Sequence, residues 1–472
     1  MTSISTKSTV LSFVTPLLSG LLILLANIYV LDDLFLSYVF VIIYFISFYT
    51  VWVVSSQRIN LFLIFYLAFG LFVGGSFFAV VLGYSGDPFM PTFFFDYSVS
   101  YERRLEILEY VIAFIVFSTF GYNMGYKIQL KQSNCFVLKD IYICRLQKIL
   151  TLFFPILVFL IFGTLITKFM SVLSGGYLAL YIGIQNDSYS SSNFVNVLFP
   201  IMFGLAITYG CNGIKTKYIS LFFVYALLNI LMGTRSAFGA FLLICLWIYS
   251  MTHRISLKKI FFWCLLSVVM LLFVYSFSVR ANEQGVSDES LIDKMLFFVF
   301  SQGGTLMTFD ASRLVENYPI IPYFQSFFPG AANIFSLLTG EELYHWNTSF
   351  SGYMDYQLNP DLYFSGCGLG WSILSDLYLF SGGTWIVFFF LSLIYGMFIA
   401  VMEKKAIHCD FFKYLGVSIS YSLVLLPRGP LSSLFPLLIY SVFIWVIFLF
   451  CFQAWDKIIE IKYYNKCNRR IN

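Results

Sequence analysis

Runs of uncharged apolar residues, each about 20 positions long, recur along this 472-residue chain. That is the length an α-helix needs to cross ~30 Å of hydrocarbon. The runs do not alternate with period 2 as the strands of an outer-membrane barrel would, so they read as helices. Composition bears this out, with 60% of residues hydrophobic, 21% aromatic and 11% charged, against roughly 25% charged in a soluble domain. A soluble globular enzyme, a disordered chain and a nucleic-acid binder are excluded. The expected fold is an all-α polytopic membrane protein.

Breaking the chain at its charged and turn-rich interruptions gives twelve expected spans, near 10–31, 34–54, 59–82, 105–125, 149–170, 194–211, 218–234, 236–251, 260–279, 371–402, 411–427 and 431–453. With both termini cytoplasmic, 20 of the 28 Lys and Arg lie in inner segments and seven in outer ones, with Lys168 at an outer helix end. That bias is what orients helical membrane proteins. The first span ends in Ile28-Tyr29-Val30-Leu31-Asp32-Asp33, with no small-residue cleavage site, so it reads as a retained helix. Of nine Cys only Cys367 falls in an outer loop, and no Cys or His has zinc-ligand spacing, so neither a disulfide nor a metal is expected.

The layout divides into spans one to nine (1–279), a large outer loop (280–370), and the last three spans with a basic cytoplasmic tail (371–472). A structureless loop of that size is usually functional. Leu291 to Phe300 and Phe324 to Leu338 are apolar enough to lie in the membrane interface as amphipathic or re-entrant segments. Tyr323, Tyr344, Trp346 and Tyr353 sit among Asp, Glu and Asn there, either as an interfacial aromatic belt or as platforms for sugar faces. The stretch 371–402 is too long for one crossing, and Ser381-Gly382-Gly383 offers a break that leaves Asp376 on a short outer helix. Such breaks are tolerated where the backbone is buried in protein or lines a cavity.

Two outer hairpins each carry one arginine in an uncharged setting, Met232-Gly233-Thr234-Arg235-Ser236 and Pro427-Arg428-Gly429-Pro430. Each arginine opens a descending helix, where the exposed N–H groups already make the site positive. An anion resolves the conflict, because helix N-termini and guanidinium groups are both phosphate-holding devices; snorkelling to lipid headgroups is the other reading. Arg280 and Arg313 lie on the same side. An outer cavity with arginines, aromatic rings and scattered carboxylates suits a ligand that is part phosphate, part lipid and part sugar. No GxxxxGK[ST] loop is present, so the activated substrate should already be lipid-linked on the outer face.

About a dozen spans, the late outer loop, the turn LMGTRSAFGAFLL at 231–243, the stretch GCGLGWSILSDLYLFSGG at 366–383 and PRGP at 427–430 together resemble the repeat-unit polymerases of bacterial O-antigen and related capsules, the Wzy-type family. Members often carry Glu where this chain has Asp376. The resemblance implies a polytopic, GT-C-like glycosyltransferase of the inner membrane that works on undecaprenyl-pyrophosphate-linked oligosaccharides at the periplasmic face, with a chain-length regulator as partner and no cofactor. Within it, Arg235, Arg280 and Arg428 would neutralise the leaving pyrophosphate and Arg313 would hold the second one. The acceptor hydroxyl would be oriented or deprotonated by Asp310, His345 or Asp376.

Three rivals share the layout. A lipid-linked oligosaccharide flippase usually shows two similar halves, and 1–234 and 235–472 share nothing beyond the two arginine turns. A transferase using a polyprenyl-phosphate sugar often has an acidic pair in its first outer loop, a place taken here by Asp32-Asp33, which ordinary helix termination also explains. An O-antigen ligase would differ only in its acceptor.

Overall fold

The computed structural model describes residues 14–16, 18–25, 32–55, 58–90, 94, 99–128, 138–186, 194–253, 255–256, 258–259, 262–263, 291–328 and 330–468. Among these the regular structure is helical, with no β-strand. In chain order the helices are α1 (Asp33–Val54), α2 (Leu61–Phe72), α3 (Gly75–Val81), α4 (Tyr101–Lys127), α5 (Asp140–Gly175), α6 (Ala179–Asn186), α7 (Phe194–Tyr209), α8 (Asn212–Leu231) and α9 (Ser236–Ser250). The large loop supplies α10 (Leu291–Gln302), α11 (Thr305–Ser312), α12 (Ile320–Gln325), α13 (Ala331–Thr339), α14 (His345–Thr348), α15 (Phe350–Leu358) and α16 (Pro360–Phe364). Then come α17 (Ile373–Phe380), α18 (Trp385–His408), α19 (Asp410–Leu425), two 3₁₀ turns at Leu426–Arg428 and Leu431–Ser433, and α20 (Phe435–Asn468).

Six helices among the described residues are long and apolar enough to cross a membrane: Asp33–Val54, Tyr101–Lys127, Asp140–Gly175, Asn212–Leu231, Trp385–His408 and Leu431–Ile458. The pair α2 and α3, bent by 66° at Val73 and Gly74, makes a seventh if it counts as one span. The segments expected at 194–211, 236–251 and 411–427 do form helices, but of only 16, 15 and 16 residues, short of the ~20 that a full crossing takes. The span expected at 260–279 lies almost wholly outside the described residues, and of 10–31 the helix Val14–Leu25 is seen. The expected break after Asp376 is present: α17 ends at Phe380, and Gly382 and Gly383 both take positive φ before α18 starts.

Small residues decide which helices touch. Lipid tails are as apolar as leucine, so helices in a membrane gain by close backbone packing more than by burying oil. On α4, Gly121 lies against the Leu393 carbonyl of α18 and Gly125 against Ala400, and a methyl at Gly396 would overlap the Ser118 carbonyl. Gly204 seats α7 against Ser418 of α19 in the same way. At the bend, Gly75 lies against the Val299 carbonyl and Gly303 against Ser76, which brings α10 onto α3.

Helix α2 marks the two ends of the bundle. At its start Glu403 Oε2 accepts the Leu61 N–H at 2.9 Å, and Asn60 caps the Leu63 N–H at 2.7 Å. The far end packs against the turn Leu426–Arg428, which also touches α17. The loop helices gather at this second end, where α13 points Ile334, Leu337 and Leu338 outward at 60%, 86% and 78% exposure. That is the face expected of an interfacial amphipathic helix.

Candidate functional site at the loop end of the bundle

The first two turns of α4 carry Arg103, Arg104 and Glu106, and each is claimed by an opposite charge. Arg103 Nε donates to both oxygens of Asp310, at 2.8 and 3.1 Å, and Asp310 is fully buried in α11. Arg104 pairs with Asp33 and, through Nη2 at 2.9 Å, with Asp87. Arg313, just past α11, pairs through Nη2 with Glu106, and its Nη1 lies 4.0 Å from Asp310. The rest of that guanidinium rests on the rings of Tyr110, Phe309 and Tyr378, whose centroids are 5.2, 5.7 and 5.4 Å away. Its Nε and Nη1 are buried without a hydrogen-bond partner among the described residues. Burial opposes the Arg313 charge, and Glu106 together with Tyr378 more than offsets it, so the group stays cationic.

Asp376 is also fully buried. Its Oδ1 accepts the Trp371 indole N–H at 2.9 Å and its Oδ2 the Leu431 backbone N–H at 2.6 Å, while burial pushes the carboxyl up to about 7. A second buried carboxyl, Asp355 on α15, accepts the Leu369 N–H at 3.1 Å, and burial raises it to about 8. Thr308 Oγ1 donates to the Leu369 carbonyl at 3.1 Å. The glycine-rich segment before α17 is thus gripped by α11, α15 and α17 together.

Arg235 lies with its guanidinium carbon 5.1 Å from the Phe298 ring centroid, and that of Arg428 is 6.0 Å from the Phe72 ring centroid. Phe72 ends α2 just before the bend, and Phe298 precedes the Val299 carbonyl that meets Gly75. The two hairpin arginines therefore flank one helix junction. Arg280 falls outside the described residues.

His345 opens α14. Its Nδ1 is 3.3 Å from the Tyr363 hydroxyl, and burial pushes the imidazole below its ordinary value, toward the neutral form. Tyr344, Trp346 and Tyr356 form a stack there, with centroid separations of 5.9 and 4.8 Å. Tyr344 is 37% exposed. Tyr323 and Tyr353 lie elsewhere, edge-on to Phe350 at 4.7 Å and tilted against Tyr318 at 5.4 Å respectively.

The acidic pair has local duties. Asp32 caps α1 by accepting the Phe35 N–H at 2.9 Å, and Asp33 takes Arg104. Sequence pattern alone does not single out Arg103, Glu106 or Asp355. The argument used for Arg235, a cation at a helix start where it is disfavoured, applies equally to Arg103 and Arg104. It does not apply to Arg428, which was expected to open a descending helix but closes the 3₁₀ turn Leu426–Arg428, where a cation is favoured, while α20 starts only at Phe435.

Compared with known families, the chain matches the model of O-antigen polysaccharide polymerase Wzy over residues 9–457. It belongs to the Wzy family. This Wzy-family chain is therefore a multi-pass membrane protein whose family activity is polymerisation of O-antigen repeat units by glycosyl transfer. Comparison with curated proteins and with solved structures gave no match.

Proposed function

We propose that the chain joins undecaprenyl-pyrophosphate-linked repeat units at the periplasmic face of the inner membrane, without a metal. In this reading both termini are cytoplasmic, twelve spans form a GT-C-like bundle, and a chain-length regulator acts alongside. The bond between the anomeric carbon of the growing glycan and its pyrophosphate breaks. A new bond forms from that carbon to the terminal sugar hydroxyl of the incoming unit, the hydroxyl proton goes to a base, and undecaprenyl pyrophosphate leaves.

The observation that carries the reading is that a Wzy-family chain gathers Arg103, Arg313, Arg235 and Arg428 with buried carboxyls at one end of its bundle. Arg235 and Arg428, with Arg280, neutralise the leaving pyrophosphate, where charge develops as the anomeric bond breaks. Arg313, held in place by Glu106, is assigned to the second pyrophosphate. The acceptor proton passes to a carboxyl or to His345. Both Asp310 oxygens are taken by Arg103 and both Asp376 oxygens by N–H donors, whereas Asp355 Oδ2 makes no hydrogen bond among the described residues. Asp355 therefore joins Asp310, His345 and Asp376 as a choice of base, with a raised pKa suited to exchange near neutrality. The stack of Tyr344, Trp346 and Tyr356 serves the sugar chain, and Tyr323 and Tyr353 line its path.

The test replaces Arg235, Arg280, Arg313 and Arg428 singly by Ala and by Lys and runs the glycan ladder on a gel. Loss of long chains in the Ala variants, with little rescue by Lys, is expected of two-point phosphate binding. Wild-type ladders from every Ala variant would remove the arginine reading. Surface display of single repeat units by cells lacking the protein separates polymerisation from translocation.

A further inference from the structure

Helices α5 and α20 are clasped at one end and flank a cavity toward the other. At the clasp Arg145 Nη2 meets Asp456 Oδ1 at 2.7 Å, the Tyr142 hydroxyl donates to Asp456 Oδ2 at 2.8 Å, and the Tyr142 ring lies 5.4 Å from that of Phe452. Running from Arg145 to Ile161 on α5, and back from Asp456 to Tyr440 on α20, each helix advances about 24 Å. There Ile161 and Tyr440 border a cavity of about 320 Å³, whose other walls come from α7, α8, α9 and α19. Phe199, Phe203 and Phe222 give it an apolar floor. The mouth is polar, with Asn196 and the hydroxyls of Ser432 and Ser433, which lie in the 3₁₀ turn that follows the one ending at Arg428. The apolar stretches of α5 and of Leu431–Ile458 bury only 22% of their residues inside the protein, so these two helices mainly face the bilayer.

We propose that this cavity receives the first isoprene units of the polyprenyl chain of the lipid-linked substrate, which enters sideways from the bilayer between α5 and α20. The inference rests on the proposed function, because it takes the diphosphate to lie near Arg428. A diphosphate held there needs a hydrocarbon slot for its tail within a few residues, and this cavity, lined by Ser432 and Ser433 and bordered by the apolar helices α5 and α20, supplies one. Its size, at the low end of the ~300–1,000 Å³ of ligand pockets, fits a single short stretch of hydrocarbon chain. The hydroxyl-lined mouth suits the polar junction between diphosphate and prenyl group, and the phenylalanine floor suits the branched hydrocarbon. The clasp at Asp456 lets the other end open without separating the helices.

The full chain in lipid nanodiscs is irradiated with a benzophenone-bearing farnesyl diphosphate, and the labelled peptides are mapped by mass spectrometry. Label is expected within 195–203, 417–422 and 432–440. Excess unlabelled farnesyl diphosphate should suppress it about 10-fold, while phosphatidylglycerol leaves it intact. Ser420→Trp, which fills the cavity, should lower labelling at least 5-fold. Should that variant fail to fold, Asn196→Cys/Ser433→Cys bridged by a bis-maleimide closes the mouth of an already folded protein and should abolish labelling, with the reagent on the parent chain as control. Label spread over the lipid-facing surface, equal competition by phosphatidylglycerol, or labelling indifferent to the bridge would each overturn the proposal. A parent chain that builds glycan ladders but labels elsewhere retains its function and loses this cavity assignment. One that labels here but builds no ladder loses the proposed function and retains the cavity.

Discussion

The carboxylate of Asp376 accepts the backbone N–H of Leu431 at 2.6 Å, tying α17 to the turn that carries Arg428. The same carboxylate holds the Trp371 indole at 2.9 Å, so one buried side chain joins the glycine-rich segment to the arginine turn. Asp376→Ala leaves two buried donors without an acceptor, at roughly 1–3 kcal/mol each. A loss of about 2–6 kcal/mol is expected, read as a lower apparent unfolding temperature in detergent and faster proteolysis at 427–433. Asp376→Asn can satisfy one donor and should fall between parent and Ala.

Asp310 is fully buried whereas the Arg103 side chain is 29% exposed, so solvent screens part of their attraction. Removing either partner takes from the other its closest countercharge, and removing both costs less than the sum of the two losses. A double-mutant cycle on Arg103→Met and Asp310→Asn should return a coupling of about 1–3 kcal/mol. Strict additivity in the unfolding data would show that the pair is not formed.

Both raised carboxyls make the loop end sensitive to pH in one direction. Asp355 and Asp376 ionise at 3.8 when free and at about 8 and about 7 in the folded chain. Between those values the folded state holds more protons than the unfolded one, so stability falls as pH rises from about 4 to 8, by at most about 1.4 kcal/mol per pH unit per group. Asp355→Asn keeps the acceptor for the Leu369 N–H and removes one titration. Its unfolding temperature should therefore decline less between pH 5 and pH 8 than that of the parent.

The α4–α18 crossing tolerates no side chain at its centre. Gly396→Leu would drive side-chain atoms into the Ser118 carbonyl and the Tyr122 amide, and both neighbours are backbone that cannot step aside. Overpacking typically costs ~1–3 kcal/mol, and a larger loss is expected here, visible as poor recovery of folded protein. Gly163→Ala on α5 meets nothing within 4 Å; it should be neutral or raise stability by about 0.5–1 kcal/mol.

Some elements are legible in the chain itself. The helix break after Asp376 is readable because consecutive glycines end a helix by themselves, and Ser381-Gly382-Gly383 does so here. The exposed apolar face of α13 follows from the run Phe324 to Leu338. The fates of the charges are not readable in this way. Arg313 has no visible reason to meet Glu106, 207 positions separate Arg103 from Asp310, and no local pattern sets Asp355 against Leu369.

Apolar run length and the placement of Lys and Arg determined from sequence alone that this is a helical membrane protein, because spanning hydrocarbon constrains composition one segment at a time. Short motifs pointed to the family. Tertiary structure alone decided which carboxylates and rings the arginines meet, because those outcomes depend on where glycine contacts such as Gly75 with Val299 and Gly121 with Leu393 let backbones approach. Close approach is a property of two helices at once, and no single stretch of chain encodes it.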